Sequence, residues 1–488
     1  MILKQTLSVA TTLLLLCGSF SSCTSKADKA IVEACKDGTM SDSEIANIAA
    51  LLREDKREAT KYRDDESIRT YIRQHDGCLN NVAPPPRDPS VSNAQKPVYN
   101  VFIENSMSMD GYVRGNSDFK NAIYGFLSDV LLKTNGLADS MNLFYINSKL
   151  LPFRPDLTDF IEKLNPSTFS ERGGERGTSD IHNVLKTALA ATNKGQVAVF
   201  VSDCVFSPGR GKSADDYLVN QSIGIKRTFS DFIYTNPDLA TVVIKLNSEF
   251  DGTYYDLNND KHTLKNRRPY YVWLIGKYEY IQKLRDKIDI KQLRAVEDFY
   301  AFYPLSPAAV GIQNISASPN FKVLKINTIG SFETDRNHAQ NSIINAKADT
   351  RNNGGFRFAV GVDLAKLGMG ESFLTTPANY KLNNEKYTIT IEPITEKERE
   401  ADPSLKTLSH KLLIATTDLQ PTELDISLIR KLPQWIDDSN SKNDVNQTGD
   451  ELKRTYGFSS LVKGVADAYT STAKEADNYF KIHISIKK

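Results

Sequence analysis

A carboxylate and two hydroxyls stand at alternate positions in Glu104-x-Ser106-x-Ser108, inside VYNVFIENSMSMDGY, residues 98–112. Two other stretches carry related oxygens. Thr178 follows a glycine-rich loop, residues 173–177, and Ser202-Asp203 ends the apolar run 197–201. Hydroxyls and carboxylates are hard ligands, of the kind Mg²⁺ takes in octahedral geometry while keeping several waters. In that chemistry Ser106, Ser108 and Thr178 bind directly as neutral ligands, and Glu104 and Asp203 hold coordinated waters. The plainer alternative is that the serines turn the loop and Asp203 caps a helix.

Oxygens so far apart in sequence meet only if a fold brings strand ends together. Residues 98–104 read as a strand that is apolar on both faces, as when helices cover a sheet on two sides. Further strands are expected over 141–146, 197–201, 240–246 and 270–275. Helices are expected over 118–133, 157–164, 179–191, 214–234 and 278–288. Alternation of this kind predicts an α/β fold, a doubly wound, mostly parallel sheet. Ligands bind such sheets beyond the C-terminal ends of the strands. Residues 247–269 are long for a connection, which predicts an inserted hairpin or a functional loop.

The order of these motifs resembles the von Willebrand factor A domain, with its Asp-x-Ser-x-Ser after the first strand, a Thr in a middle loop and an Asp ending the fourth strand. The resemblance covers roughly two-fifths of the chain, residues 97–288. It implies a metal-ion-dependent adhesion site made of Glu104, Ser106, Ser108, Thr178 and Asp203, holding Mg²⁺ (or Mn²⁺ or Ca²⁺). It also implies a protein partner that offers an acidic side chain, with a glycan as the other candidate. The sequence departs from the family in one ligand: Glu104 stands where the family has Asp, one methylene longer. A scaffold that keeps the fold without the metal is therefore the alternative function. A metal-assisted hydrolase ranks below both, because no nucleophile and base accompany the oxygens.

The remaining sequence places this region in a longer architecture. The chain has 488 residues, enough for two or three domains. Its 61 Lys+Arg balance 60 Asp+Glu, which gives no reason to expect a nucleic-acid partner. Residues 7–16 are mostly apolar, too short to span a bilayer comfortably, and lead to Ser21-Ser22-Cys23. This resembles a Bacteroidetes-type lipoprotein signal. It implies lipidation of Cys23, an anchor in the outer membrane, and a mature chain in the cell envelope, on its periplasmic or surface face. Cys35 and Cys78 flank a helical segment and are expected to form a disulfide in an oxidising compartment. The domain reading is a signal peptide over 1–22, a helical hairpin over 23–80 and a proline-rich linker over 81–97. The A-like domain follows over 98–300, then a β-rich sandwich-like domain over 301–488. Six scattered histidines show no metal-ligand spacing. The polar stretch 440–449 reads as a surface excursion.

Overall fold

The computed structural model describes residues 25–34, 42–54, 68, 71–72, 96–132, 137–154, 156–177, 180–192, 195–207, 213–303, 321–335, 341–472 and 478–488. Two compact units are present, Met1–Ala94 and Gln95–Lys488.

In the first unit, helices α1 (Lys26–Ala34) and α2 (Asp42–Glu54) bury Ile31, Ile48 and Leu52 with Ile68 and Ile72. Ser25 and Asp28 cap α1 reciprocally. The Asp28 amide donates to Ser25 Oγ (3.0 Å) and the Ser25 amide to Asp28 Oδ2 (3.1 Å). The lipidation residue Cys23 and the Cys35–Cys78 pair lie outside the described residues.

The second unit begins with a seven-stranded sheet. Its strands are β1 (Val98–Glu104), β2 (Ser140–Ile146), β3 (Leu150–Phe153), β4 (Val197–Ser202), β5 (Leu239–Tyr255), β6 (Lys261–Lys277) and β7 (Val296–Phe302). Their order is β3-β2-β1-β4-β6-β5-β7. Strand β1 runs parallel to both β2 and β4, and every other pairing in the sheet is antiparallel. The expectation of a mostly parallel sheet is corrected to a mixed one. The cause is local: a tight turn, not a crossover helix, joins β5 to β6, and a hairpin is antiparallel by construction. Residues 247–269 are that hairpin's outer half, paired in register from Asn247↔Pro269 out to Tyr255↔Lys261.

Helices α3 (Asp118–Leu132), α4 (Leu157–Glu162), α5 (Pro166–Glu171), α6 (Ile181–Ala190), α7 (Ala214–Thr235) and α8 (Tyr278–Lys287) complete the α/β part. Alternation along the strands divides the core in two. Val101, Ile103, Val199 and Val201 pack with Phe119, Ile123 and Leu127 of α3. Phe102, Ala198 and Phe200 pack with Ile181 and Leu185 of α6 and Ile225 and Phe229 of α7. The second cluster continues into the C-terminal helix Phe458–Thr472 through Leu461, Val465 and Tyr469. One helical position tests this assignment from the solvent side. Gly125 of α3 is exposed, and a Cβ there would meet nothing within 4 Å. Gly125→Ala should therefore raise stability by about 0.5–1 kcal/mol in urea denaturation, because it restricts only the unfolded chain.

Beyond β7 the chain builds a five-stranded and a four-stranded sheet. His410–Thr416 pairs antiparallel with Phe356–Val362 and with Thr388–Pro393. Asn478–Ile486 pairs antiparallel with Thr422–Ile429 and parallel with Ser342–Lys347. Phe480, Ile482, Ile484 and Ile486 are buried, as their period of two requires.

An ion-pair relay fastens this region to the first sheet. Lys291, just before β7, pairs with Glu371, and His410 Nε2 lies 2.9 Å from the other Glu371 oxygen. The His410 hydrogen bond, assisted by Lys291, holds the Glu371 carboxyl down at about 2, against an ordinary 4.5. A carboxyl lowered in the folded state stabilises fully above the unfolded value. Its contribution fades as pH falls from about 4.5 towards 2. The side chain is 39% exposed, so screening reduces the effect to about 1 kcal/mol. Urea denaturation at pH 5 and pH 3 should find the gap between the wild-type chain and Glu371→Gln narrowing by about 0.6 kcal/mol at the lower pH.

Candidate functional site

Strand β1 lies between β2 and β4; the chain leaves β1 for α3 on one face of the sheet and leaves β4 for α7 on the other. The crevice between the ends of β1 and β4 is the switch point where α/β sheets bind ligands. Glu104, Ser106 and Ser108 enter it from β1, and Ser202 and Asp203 from β4.

Three loops give the crevice its shape. After β1 the Asn105 amide donates to Ile146 O (3.0 Å), which carries the β1–β2 ladder one residue further. Asn147 Nδ2 then donates to Asn105 Oδ1 (2.8 Å) and to Gly173 O (2.9 Å), tying the glycine-rich loop to β1. Gly174 adopts φ +80°, and a Cβ there would lie 2.1 Å from Asn147 Oδ1, so only glycine fits. Arg176 completes the join. Its Nε donates to Asn105 O (2.8 Å), its guanidinium pairs with Asp110, and its carbonyl accepts from the Met107 amide (2.9 Å). Burial raises the Asp110 carboxyl, and Arg176 opposes that rise. After β4, Cys204 takes the left-handed conformation (φ 55°), which turns the chain back on itself. The Cys204 amide then donates to Ser202 Oγ (2.7 Å), and the Val205 amide to Asp203 Oδ1 (3.2 Å).

Of the oxygens expected at the site, the structure brings Ser106, Ser108 and Asp203 together. Ser106 Oγ and Ser108 Oγ lie 3.0 Å apart, and the Ser108 hydroxyl is close enough to the Asp203 carboxylate to favour its charge. Adjacent ligands of octahedral Mg²⁺, at about 2.0–2.1 Å from the ion, are separated by about 2.9 Å, so the serine pair matches one edge. Asp203 is 2% exposed; burial raises its carboxyl, with the Ser108 hydroxyl opposing. Among the described residues no ion pair neutralises it. Arg268, whose charge favours the Asp203 carboxylate from nearby, is itself buried and stacks on Tyr254, its guanidinium carbon 4.2 Å from the ring centre. Glu104, 1% exposed, accepts a hydrogen bond from the Ser202 hydroxyl. Its longer side chain is thus engaged across the β1–β4 gap. Thr178 lies outside the described residues, but Gly177 immediately before it lines the same cleft.

No family model, curated protein or solved structure matches this chain. The site is therefore judged on its own donors. Among the described residues no three His, Cys, Asp or Glu side chains are grouped to hold a metal. The donor set here is of a different kind, two hydroxyls and two buried carboxylates. It suits a hard cation and offers nothing to a soft one.

Four side chains that the sequence reading left out of the site belong to this crevice. Ser202 bonds Glu104, and Arg176, Ser207 and Tyr255 line a small cleft with Ser106, Ser108 and Val205. Tyr255 comes from the outer half of the β5–β6 hairpin, and its hydroxyl meets Met107 Sδ at 3.7 Å. The C-terminal region reaches the site as well. The Phe206 amide donates to Tyr456 O (3.4 Å), and Asp444 receives the Tyr254 hydroxyl and the Leu257 amide (2.8 Å). Residues 440–449 are thus a largely exposed excursion whose buried Asp444 and Gln447 brace the hairpin. Asp444 is 1% exposed because the hairpin supplies its donors.

Proposed function

We propose that this chain is a cell-envelope lipoprotein that grips a protein partner through one divalent cation held in the β1–β4 crevice. The observation that carries the reading is the Ser106–Ser108 hydroxyl pair, spaced as an octahedral edge beside the buried Asp203 carboxylate. Ser106 and Ser108 would hold Mg²⁺ or Mn²⁺ directly, with Thr178 the third hydroxyl expected from the sequence. Asp203 and Glu104 would balance its charge. When bound, the cation supplies a Lewis-acidic position for an acidic side chain from the partner. The chain's own groups orient that encounter: Arg176 and Asp110 fix the loop that presents the serines, and Tyr255 walls the cleft.

The envelope location rests on residues 7–23. Among the described residues no helix is long and apolar enough to cross a membrane, and the lipid on Cys23 would serve as anchor. A binding role is favoured over hydrolysis because, among the described residues, no histidine hydrogen-bonds Ser106, Ser108 or Ser207. His182 packs its ring over Gly224 and bonds Thr228 (3.0 Å). Thermal melts with Mg²⁺ or Mn²⁺ against chelator test the reading. A rise in melting temperature that disappears in Ser106→Ala supports it. No rise at millimolar metal leaves the metal-free scaffold as the function.

A further inference from the structure

The cleft contains one polar group that the fold leaves unanswered. Ser207 is 8% exposed, and its hydroxyl has no hydrogen-bond partner among the described residues. Buried hydroxyls are almost always satisfied, so an exception points to an ion, a water or stored strain. Ser207 lies four residues beyond Asp203 and lines the same cleft as Ser106 and Ser108. The cleft is half open, and its inner part holds about 10 Å³, room for a single water-sized body. Its other walls are already committed: Val205 is apolar, the Arg176 guanidinium is taken by Asp110, and the Tyr255 hydroxyl meets Met107.

We propose that Ser207 is a further oxygen donor to the cation, reaching it from the β4 side while Ser106 and Ser108 reach it from the β1 side. This rests on the cation reading above and extends it: the site would gain a neutral ligand from a loop outside the motif that suggested it. Three or four hydroxyls with two carboxylates leave the bound ion's charge largely balanced, which favours a small hard dication.

Full-length protein is titrated with Mg²⁺ and followed by thermal melting, comparing the wild-type chain with Ser207→Ala and Ser207→Cys. Ser207→Ala is expected to melt at or slightly above the wild-type temperature without metal, because it removes only an unsatisfied hydroxyl. It should need about tenfold more Mg²⁺ for the same upward shift. Ser207→Cys should lose Mg²⁺ response likewise and gain a response to thiophilic Cd²⁺ beyond that of the wild-type chain, since sulfur prefers soft ions. A purely structural serine would not make that exchange, and the cysteine variant keeps the test open if the alanine variant fails to fold. A Mg²⁺ midpoint unchanged in Ser207→Ala, with the wild-type chain responding, would overturn the donor role and assign the hydroxyl to a bound water. A wild-type chain indifferent to Mg²⁺, Mn²⁺ and Ca²⁺ would overturn the cation reading itself, and this inference with it.

Discussion

In Asp203→Asn the melting temperature should stop responding to Mg²⁺. The substitution keeps the side chain's shape, and an amide oxygen still accepts from the Val205 amide. Only the charge is lost. In the metal-free protein that loss is nearly free or mildly stabilising, because burial already disfavours the Asp203 carboxylate and Glu104 is buried in the same crevice. With metal the balance reverses. A ligand at a hundred times its Kd stabilises by about 2.7 kcal/mol, which amounts to roughly 3 °C if the Gln95–Lys488 unit unfolds as one. The wild-type chain should show this rise in Mg²⁺ and the variant none, while their metal-free melts agree within about a degree. A variant that melts several degrees low without metal would instead mark Asp203 as a cap of the β4 turn.

The second large effect is steric. Gly252 of β5 lies against Gly111, in the turn that follows Ser108; a Cβ on Gly252 would sit 2.7 Å from Gly111 Cα and 3.0 Å from its amide nitrogen. Both obstacles are backbone, so no side chain can swing aside. The hairpin must then lift from the serine loop, and it carries Tyr255 away from Met107. Gly252→Val should cost about 3 kcal/mol or more in urea denaturation and weaken the Mg²⁺ response with it. Phe250, whose ring covers Gly111 and meets Tyr112 edge-on at 5.0 Å, belongs to the same contact.

These two residues illustrate how unevenly the molecule is written in its sequence. Asp203, Ser106 and Ser108 are legible because each stands next to an apolar strand whose end is sharply marked. Strand periodicity alone then brings them to one edge. The helices over α3, α6 and α7 are legible for the same reason, since their apolar faces repeat at helical spacing. The β5–β6 hairpin is not. Its outer half is polar and turn-rich, and what makes it strand is partners that local sequence leaves unstated. Ser248, fully buried, caps α3 at the Phe119 amide (2.9 Å), and Arg267 pairs with Asp118 of α3 (2.7 Å). Strand β7 hides similarly behind Glu297 and Asp298, which are held by Lys245 (2.9 Å) and Ser372. Ser207 and Arg176 are ordinary loop residues by type, and only the course of two loops places them at the cleft.

Glu104 is the residue where the resemblance and the structure bear on one another most closely. Its extra methylene lets the carboxylate reach Ser202 on the neighbouring strand. That contact stitches the two strand ends together.

The most direct measurement is a crystal of the protein soaked in Mn²⁺ and read by anomalous scattering. The account predicts a single strong peak at about 2.2 Å from both Ser106 Oγ and Ser108 Oγ, with the Asp203 carboxylate beside it. A map with no peak there, and the two hydroxyls still bonded to each other at saturating metal, would contradict it.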